Sequence, residues 1–252
     1  SNEAGARESK LPRRMAIELQ LDLPAPLARA CGVAELSALL DGARSPRAGA
    51  PIVLLHGSGT DCDHGSLRAL AAGLAARGRI VLRPRLPFAE RIRREGRRRP
   101  PDPLPRLLEA LHTLLAGLPG LHPLLASDSA PVLIGRSLGA RVASLAVAAG
   151  QPAGGLVWLG FPLHPPGQPQ RWEERSAHFP QLKLPLLVFQ GDRDGHARLD
   201  LLRQALARLP GPPDLRLLPG ADHGLSKPRD GSDAETWGGL SAPIDAWLRS
   251  QA

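Results

Sequence analysis

The chain contains no tyrosine and only four phenylalanines and four tryptophans among its 252 residues. Proteins that hold single-stranded nucleic acid usually stack the bases on aromatic side chains, so this scarcity argues against such a partner. The net charge of +8 does not reverse the argument, because the arginines are spread along the whole chain. We expect no nucleic-acid partner. The stretch from Arg91 to Arg99 is the one concentrated basic cluster, predicted as a solvated loop or, alternatively, a rim that attracts anions.

Cysteines and long apolar runs are also scarce. The two cysteines, Cys31 and Cys62, allow at most one disulfide and lack the spacing of a metal site, so a reduced, cytoplasmic protein is expected. No apolar run reaches the roughly 18 residues that span a bilayer. The pair Arg13 and Arg14 is not followed by the apolar core of a signal peptide. We therefore expect no membrane span, no metal and no cofactor.

Residues 1–12 are set apart from the fold. They precede the first strand-like pattern, and the sequence starts with Ser-Asn although its only methionine is Met15. We expect this stretch to be a disordered N-terminus or a remnant of expression. Residues 13–252 are long enough for a single domain, and a hydrophobic content of 42% is enough for one large core.

Strand-like and helix-like patterns alternate along this domain, which predicts an α/β fold with a mostly parallel sheet and helices on both faces. Residues 161–184 are too long for a tight turn and are predicted to form a small lid or an excursion over the edge of the sheet. Proline and arginine fill a predicted loop up to about residue 103. The strand-like runs are 15–23, 52–57, 79–87, 131–135, 155–160, 185–191 and 214–220, and the helix-like runs are 66–78, 104–118, 138–150, 197–209 and 235–250.

The motif Gly-Arg-Ser-Leu-Gly stands between a strand-like run and a helix-like run. A glycine-x-serine-x-glycine turn in this position forces the serine into unfavourable backbone angles and projects its hydroxyl from the end of the sheet. Side chains would clash on either side of it, and Gly135 and Gly139 leave the space. The placement favours Ser137 as a nucleophile over an ordinary serine in a glycine-rich bend. The pattern predicts no role for Arg136.

An acid and a histidine follow two later strand-like runs. A serine needs a base to become a good nucleophile, and in folds with such a turn the order along the chain is serine, acid, histidine. Asp194 and His223 satisfy this order, each just past its own strand. Asp192 is the alternative acid and is otherwise predicted to cap its loop. His196 is less suited as the base because it opens a helix, and Asp222 is predicted to orient the loop of its neighbouring histidine.

An oxyanion hole requires two backbone N–H groups. The residue after the nucleophile, Leu138, is predicted to supply one of them. The other is expected from the loop after an early strand, where Gly57 and Gly59 permit a close approach and Ser58 is the predicted donor. We favour a structural hydrogen-bonding role for His56 over that of a second base.

With these residues in place, the chain resembles an α/β-hydrolase of the small branch related to dienelactone hydrolases. Within that branch it resembles the family of a eukaryotic testis-expressed hydrolase-like protein and a subunit of the NSL histone acetyltransferase complex, a family that also has bacterial members. The segments that carry the similarity are distributed over about two-thirds of the chain, from residue 54 to residue 225, and are 54–59, 135–144, 161–171, 189–194 and 219–225.

The resemblance implies a serine hydrolase with little or no lid. Ser137, Asp194 and His223 take the positions of the catalytic triad, and Ser58 and Leu138 take those of the oxyanion donors. It also implies that the start of the 161–171 segment lies at the carboxyl end of the sheet and lines the pocket.

The segment 83–90 departs from this family, whose members tend to have aromatic residues there. Two arginines replace aromatic positions near the site, which favours a substrate with an acidic group. The predicted pocket-lining residues are His56, Gly57, Phe161, His164, Arg83 and Arg85.

We expect the protein to cleave an ester or thioester of a small molecule through an acyl-enzyme. Two alternatives stay open at this point. One is a catalytically silent scaffold or binding protein that keeps the α/β-hydrolase fold, and the other is a basic nucleic-acid binder that uses the arginine-rich stretch.

Overall fold

The structure is a computed structural model that describes residues 16–42, 49–226 and 233–251. Eight strands form one sheet: β1 (Ile17–Asp22), β2 (Glu35–Asp41), β3 (Ile52–Leu55), β4 (Val81–Pro84), β5 (Val132–Arg136), β6 (Gly155–Leu159), β7 (Leu186–Gly191) and β8 (Asp214–Leu218). Their order across the sheet is β1-β2-β4-β3-β5-β6-β7-β8. The pairs β1–β2 and β2–β4 are antiparallel, whereas the strands from β4 to β8 pair in parallel. The predicted mostly parallel sheet is therefore confirmed.

Helices cover both faces of this sheet, as parallel crossovers require. In chain order they are α1 (Ala25–Cys31), α2 (Gly65–Ala75), α3 (Pro87–Glu95), α4 (Leu104–Leu121), α5 (Leu138–Ala148), α6 (Trp172–Ser176), α7 (Leu199–Leu206), α8 (Asp233–Gly239) and α9 (Ser241–Ser250). Short 3-10 turns lie at Pro123–Leu125, Pro169–Arg171 and Phe179–Gln181.

Alternate residues of the central strands enter two different hydrophobic cores. Leu133 and Trp158 belong to the core under α4, α5 and α7. Ile134 and Val157 belong to the core under α2 and α9. Both faces of these strands are buried, which explains why they appear in the sequence as continuous apolar runs rather than as alternating ones. The two cores fix the carboxyl ends of β3, β5, β6 and β7 beside one another.

Some elements differ from the sequence prediction. Helix α1 and strand β2 were not predicted, and α3 lies inside the predicted loop that ends near residue 103. Proline in its first turn and salt bridges from Glu90 to Arg93 and Arg94, three and four residues on, favour the helix α3, so its arginines are a helix face and not a loop. The predicted closing helix is divided into α8 and α9 at Leu240.

The segment 161–184 is fastened to the body of the protein. Phe161 and Phe179 are fully buried against Trp158 in the main core. The His178 Nε2 and the Oγ of Ser144 in α5 form a hydrogen bond of 2.9 Å. The segment is thus an excursion packed on α5, and within the described residues the fold has no lid.

Three further sequence predictions concern residues 1–12, the cysteines and membrane-spanning segments. Residues 1–12 lie outside the described residues. Cys31 and Cys62 are buried and free, and burial raises the pKa of the Cys62 thiol to about 12. None of the helices in the described ranges is both long enough and apolar enough to cross a membrane.

Candidate active site

Ser137 occupies a strained turn between β5 and α5. Its backbone angles are φ 50° and ψ −114°, a combination that an L-residue adopts only at a cost in energy. The turn is possible because its neighbours lack side chains. A Cβ on Gly135 would lie 2.2 Å from the backbone nitrogen of Ala140, and one on Gly139 would lie 2.6 Å from the carbonyl oxygen of Leu55. The side chain of Ser137 is held at the carboxyl edge of the sheet by this geometry.

A hydrogen-bonded chain connects Ser137, His223 and Asp194. The Ser137 Oγ lies 2.8 Å from the His223 Nε2, and the His223 Nδ1 lies 2.7 Å from the Asp194 Oδ2. Asp194 is buried, with 5% of its surface exposed. A carboxylate on Nδ1 favours the tautomer that leaves Nε2 free to accept the serine proton. The structure thus brings together Ser137, His223 and Asp194, which were predicted from their positions after the ends of strands.

Two further groups hold the carboxylate of Asp194. The amide of Gln190, which is fully buried, donates to Oδ2 at 2.5 Å. The same amide accepts the backbone N–H of Phe161 through its Oε1 at 2.9 Å. The backbone N–H of His196 donates to the other oxygen, Oδ1, at 2.7 Å. Gln190 was not predicted as a site residue.

His196 stacks on the imidazole of His223. The ring centroids are 3.9 Å apart and the planes differ by 26°. Burial lowers the pKa of His196, and the nearby His223 and Arg136 lower it further. The ligand atoms of Asp194, His196 and His223 lie within 4.8 Å of one another. Stacked rings do not suit a shared metal ion, because each imidazole ligand needs the ion in its own plane.

The other loop aspartates orient backbone rather than the histidine. Asp192 Oδ1 accepts the N–H of Gly220 at 2.7 Å, and Asp222 Oδ1 accepts the N–H of Gly224 at 2.7 Å. These contacts agree with the loop roles expected for both aspartates, and Asp194 is the one whose carboxylate meets the imidazole.

The loop after β3 lies against the turn of Ser137. A Cβ on Gly139 would lie 2.8 Å from the carbonyl oxygen of His56, and one on Gly57 would lie 3.0 Å from the Cδ of Arg136. At position 139 only glycine permits this approach, because the carbonyl oxygens that a Cβ would meet belong to the backbone. Ser58 is exposed at the tip of the loop, and Leu138 begins helix α5, where backbone N–H groups lack helical partners. The predicted oxyanion donors therefore stand on two segments that touch.

His56 links the loop after β3 to the segment that follows β4. It is fully buried, its Nε2 accepts the N–H of Leu86 at 2.9 Å, and its Nδ1 bonds the Gly57 carbonyl at 2.8 Å. Burial lowers its pKa to about 4, and the charge of Arg85 contributes to the lowering. Both ring nitrogens are occupied, so His56 has the structural role that the sequence favours.

Residues 48–248 match the model of a family described as the alpha/beta hydrolase domain. The chain belongs to the α/β-hydrolase domain family. No curated protein matches the chain.

Solved structures with the same fold cover nearly the whole α/β hydrolase. A dienelactone hydrolase from Anabaena variabilis is 20% identical, with a TM-score of 0.66 over 94% of this chain and 99% of that one. An α/β serine hydrolase without a lid from Xanthomonas campestris is 21% identical, with a TM-score of 0.61 over 93% and 96%. Est1E from Butyrivibrio proteoclasticus is 14% identical, with a TM-score of 0.62 over 86% and 95%. At these identities the likeness establishes the fold.

In the α/β hydrolase, Phe161 and His164 connect the segment after β6 to residues at and near the loop that carries Asp194. His164 accepts the N–H of Arg198 on its Nε2 at 3.0 Å, and its own N–H donates to the His196 carbonyl at 2.9 Å. Both residues are buried. They lie beside the site, and their contact with a substrate stays a prediction.

Arg83 is engaged in an internal ion pair. It is 1% exposed, and its Nε and Nη2 donate to the two carboxylate oxygens of Asp41 at 2.8 and 3.3 Å. Its Nη1 donates to the Cys62 carbonyl at 2.5 Å. All three nitrogens of the guanidinium have protein acceptors, which gives Arg83 a structural role in place of the expected contact with an acidic substrate.

Arg85 is largely engaged as well. Its Nη1 donates to the Ser37 hydroxyl and lies 3.7 Å from Glu90, and its Nη2 lies 3.6 Å from Asp61. Two carboxylates therefore already face this guanidinium.

Four arginines of the arginine-rich stretch also have carboxylate partners. Arg91 pairs with Asp102 at 2.8 Å, and Arg99 donates to Glu95 through its Nε at 2.6 Å. Arg93 and Arg94 share Glu90. Counting arginines along the sequence overstated the positive charge that this stretch offers to a ligand.

Proposed function

We propose that this α/β hydrolase is a serine hydrolase that cleaves an ester or thioester. The observation that carries the proposal is the hydrogen-bonded chain from Ser137 through His223 to Asp194. It combines a nucleophile, a base and an orienting acid at the carboxyl edge of the sheet, where ligands bind in open α/β folds.

The proposed reaction starts with attack of the Ser137 Oγ on the carbonyl carbon. The Nε2 of His223 takes the hydroxyl proton and later delivers it to the leaving alcohol or thiol. Asp194 keeps the imidazole in the required tautomer and stabilises its protonated form. The N–H groups of Ser58 and Leu138 are the proposed donors to the oxyanion. Water then attacks the acyl-enzyme with His223 as base, which releases the acid and restores Ser137.

Est1E, the dienelactone hydrolase and a thioesterase domain from the curacin pathway share the fold, which agrees with a carbonyl-directed hydrolase of this class. The sequence motifs support the narrower proposal of a bacterial member of the testis-expressed hydrolase-like and NSL-complex-subunit family.

A fluorophosphonate probe tests the proposal directly. We expect it to label the wild type and Ser127→Ala, whose serine is exposed in a distant loop, and to leave Ser137→Ala unlabelled. In hydrolysis of a series of p-nitrophenyl esters and thioesters of varied acyl length, Ser137→Ala should lose on the order of 10³-fold or more in rate. An unlabelled wild type that turns over none of these substrates would contradict the proposal and favour the silent scaffold.

A further inference from the structure

Two arginines beside the site differ from the others described above. Arg141 stands in α5, one turn after the nucleophile, and its backbone N–H donates to the Ser137 carbonyl at 3.2 Å. Arg175 stands in α6 of the excursion, and its Nη1 donates to the Pro162 carbonyl at 3.1 Å. Both side chains are partly buried. Their two positive charges therefore lie where α5 and the segment 161–184 meet.

Neither guanidinium has a carboxylate partner in the described part of the chain. The Nε atoms of Arg141 and Arg175 are both buried and lack an acceptor. The carboxylate of Glu174, whose charge influences both arginines, is held by Arg171 through two hydrogen bonds of 3.0 Å. The cluster of Arg141, Arg171, Arg175 and Glu174 therefore has more positive than negative charge.

This arrangement is costly without a counter-ion. Partial burial lowers the pKa of Arg141 and of Arg175, and the charge of Arg175 lowers that of Arg141 further. His178, which also lies where α5 and the segment 161–184 meet, has a pKa lowered to about 4 by burial and by Arg141, so it is neutral and adds no charge of either sign near pH 7. Buried charges in proteins are usually paired, because desolvation without a partner is expensive. Within the described chain no carboxylate pairs with either guanidinium, and their buried Nε atoms lack an acceptor.

We propose that Arg141 and Arg175 form a binding site for a carboxylate or phosphate group, and that this group belongs to the substrate cleaved at Ser137. The kinetic part of this inference rests on the proposed function. Guanidinium groups are the usual partners of such oxyanions, because their N–H donors match the oxyanion geometry.

The position fits a substrate that reaches from Ser137 along α5. Long helical side chains lean toward the N-terminus of their helix, so Arg141 leans toward the turn that carries Ser137. Pro162, the acceptor for Arg175, lies two residues after Gly160, where an added Cβ would lie 3.0 Å from the His223 carbonyl. The arginine pair thus borders the same edge of the sheet as the hydrogen-bonded chain.

Binding can be measured without any catalysis. Inorganic phosphate and, separately, adipate are added at constant ionic strength while the melting temperature is followed. We expect the wild type to melt at least about 2 °C higher with saturating anion. Arg141→Gln and Arg175→Gln should lose this rise. Arg203→Gln, which removes the same charge from an exposed position of α7, should keep it.

The same series separates a ligand site from a merely structural role. Without anion, Arg141→Gln and Arg175→Gln should melt at or above the wild-type temperature, because each relieves an unpaired, partly buried charge. A lower melting temperature of both variants without anion, together with a wild type that phosphate and adipate do not stabilise, would overturn the site.

Measurements of kcat/KM test whether the anion that binds the two arginines is part of the substrate. The pair p-nitrophenyl hydrogen adipate and p-nitrophenyl hexanoate have acyl chains of equal length, and only the adipate has a terminal carboxylate. Each arginine variant should lower kcat/KM for the adipate by about tenfold and leave the hexanoate within about twofold, and added salt should lower the wild-type value for the adipate alone.

Equal losses on both esters, or no loss on either, would overturn the assignment to the substrate. If anions still raised the melting temperature in that case, the site would bind a free anion. If neither ester is turned over, the proposed hydrolase function fails, and the melting experiment still decides whether the arginines bind an anion.

Discussion

Two histidines, the fully buried His56 and the partly buried His178, lie beside arginines on different sides of the strand that leads to Ser137. His56 is next to Arg85 on the side of β4, and His178 is next to Arg141 on the side of β6. The pKa of each histidine is lowered to about 4 by burial, with the arginine contributing. The arginines themselves differ, because Arg85 faces two carboxylates whereas Arg141 faces none in the described ranges.

This difference shows why arginine content is a poor guide to ligand charge. On the β4 side, Arg83 and Arg85 complete internal ion pairs, so their charge holds loops together. On the β6 side, Arg141 and Arg175 have no carboxylate partner within the described ranges, and their charge is the one proposed to meet a ligand. Only the carboxylate partners, which the tertiary structure provides, distinguish Arg83 and Arg85 from Arg141 and Arg175.

Replacement of Arg83 should have the largest effect. Arg83→Met removes the guanidinium and leaves Asp41, whose side chain is only 11% exposed, without its bidentate partner. We expect the free energy of unfolding in urea to fall by about 3 kcal/mol. A loss below about 1 kcal/mol would show that Arg83 is not structural and would remove the contrast between the two sides.

Lowering the pH should reduce the stability that both His56 and His178 contribute. A histidine whose pKa is lower in the folded state takes up a proton more readily when unfolded, so its contribution to stability is complete above pH 6.5 and is lost as the pH falls toward 4. For the fully buried His56 this loss amounts to about 3 kcal/mol at most.

Urea unfolding at pH 7.5 and at pH 4.5 measures this effect. His56→Gln should narrow the difference in unfolding free energy between the two pH values, whereas Ser127→Ala should not change it. A difference that is the same in wild type and His56→Gln would contradict the assigned cause.

The smallest effect is expected at Arg141, in contrast to the same change at Arg83. Arg141→Met removes a charge that has no protein partner, so the free energy of unfolding in anion-free buffer should stay within about 0.5 kcal/mol of the wild type or rise. Urea unfolding of the two methionine variants side by side provides the measurement. A loss at Arg141 as large as that at Arg83 would mean that both arginines are paired.

Much of the fold was predictable because local patterns and global structure agree. The strands β3, β5, β6 and β7 are buried on both faces, and each appears in the sequence as an apolar run followed by a glycine or a polar turn. The serine and the acid follow two of these runs, and the histidine follows the half-buried strand β8, so their meeting at one edge was predictable from the parallel order of the strands.

Other features depend on contacts between distant segments. Helix α3 was missed because its exposed face is rich in arginine and its N-terminus in proline, which resemble a loop. The role of Gln190 depends on Phe161, 29 residues earlier, and the pairing of Arg83 with Asp41 spans 42 residues. No local pattern reports such pairings, so the sequence could not show that Arg83 and Arg85 have internal partners.

Strand β8 sits at the rim of the sheet, bonded to β7 alone and half-buried along its whole length. The loop that follows it delivers His223, while Ser137 stands on β5 in the interior. Peripheral strands with one partner open at lower free energy than interior ones. Heat or denaturant should accordingly abolish the proposed hydrolase activity before the core unfolds, so loss of that activity would report local opening at β8 rather than global unfolding.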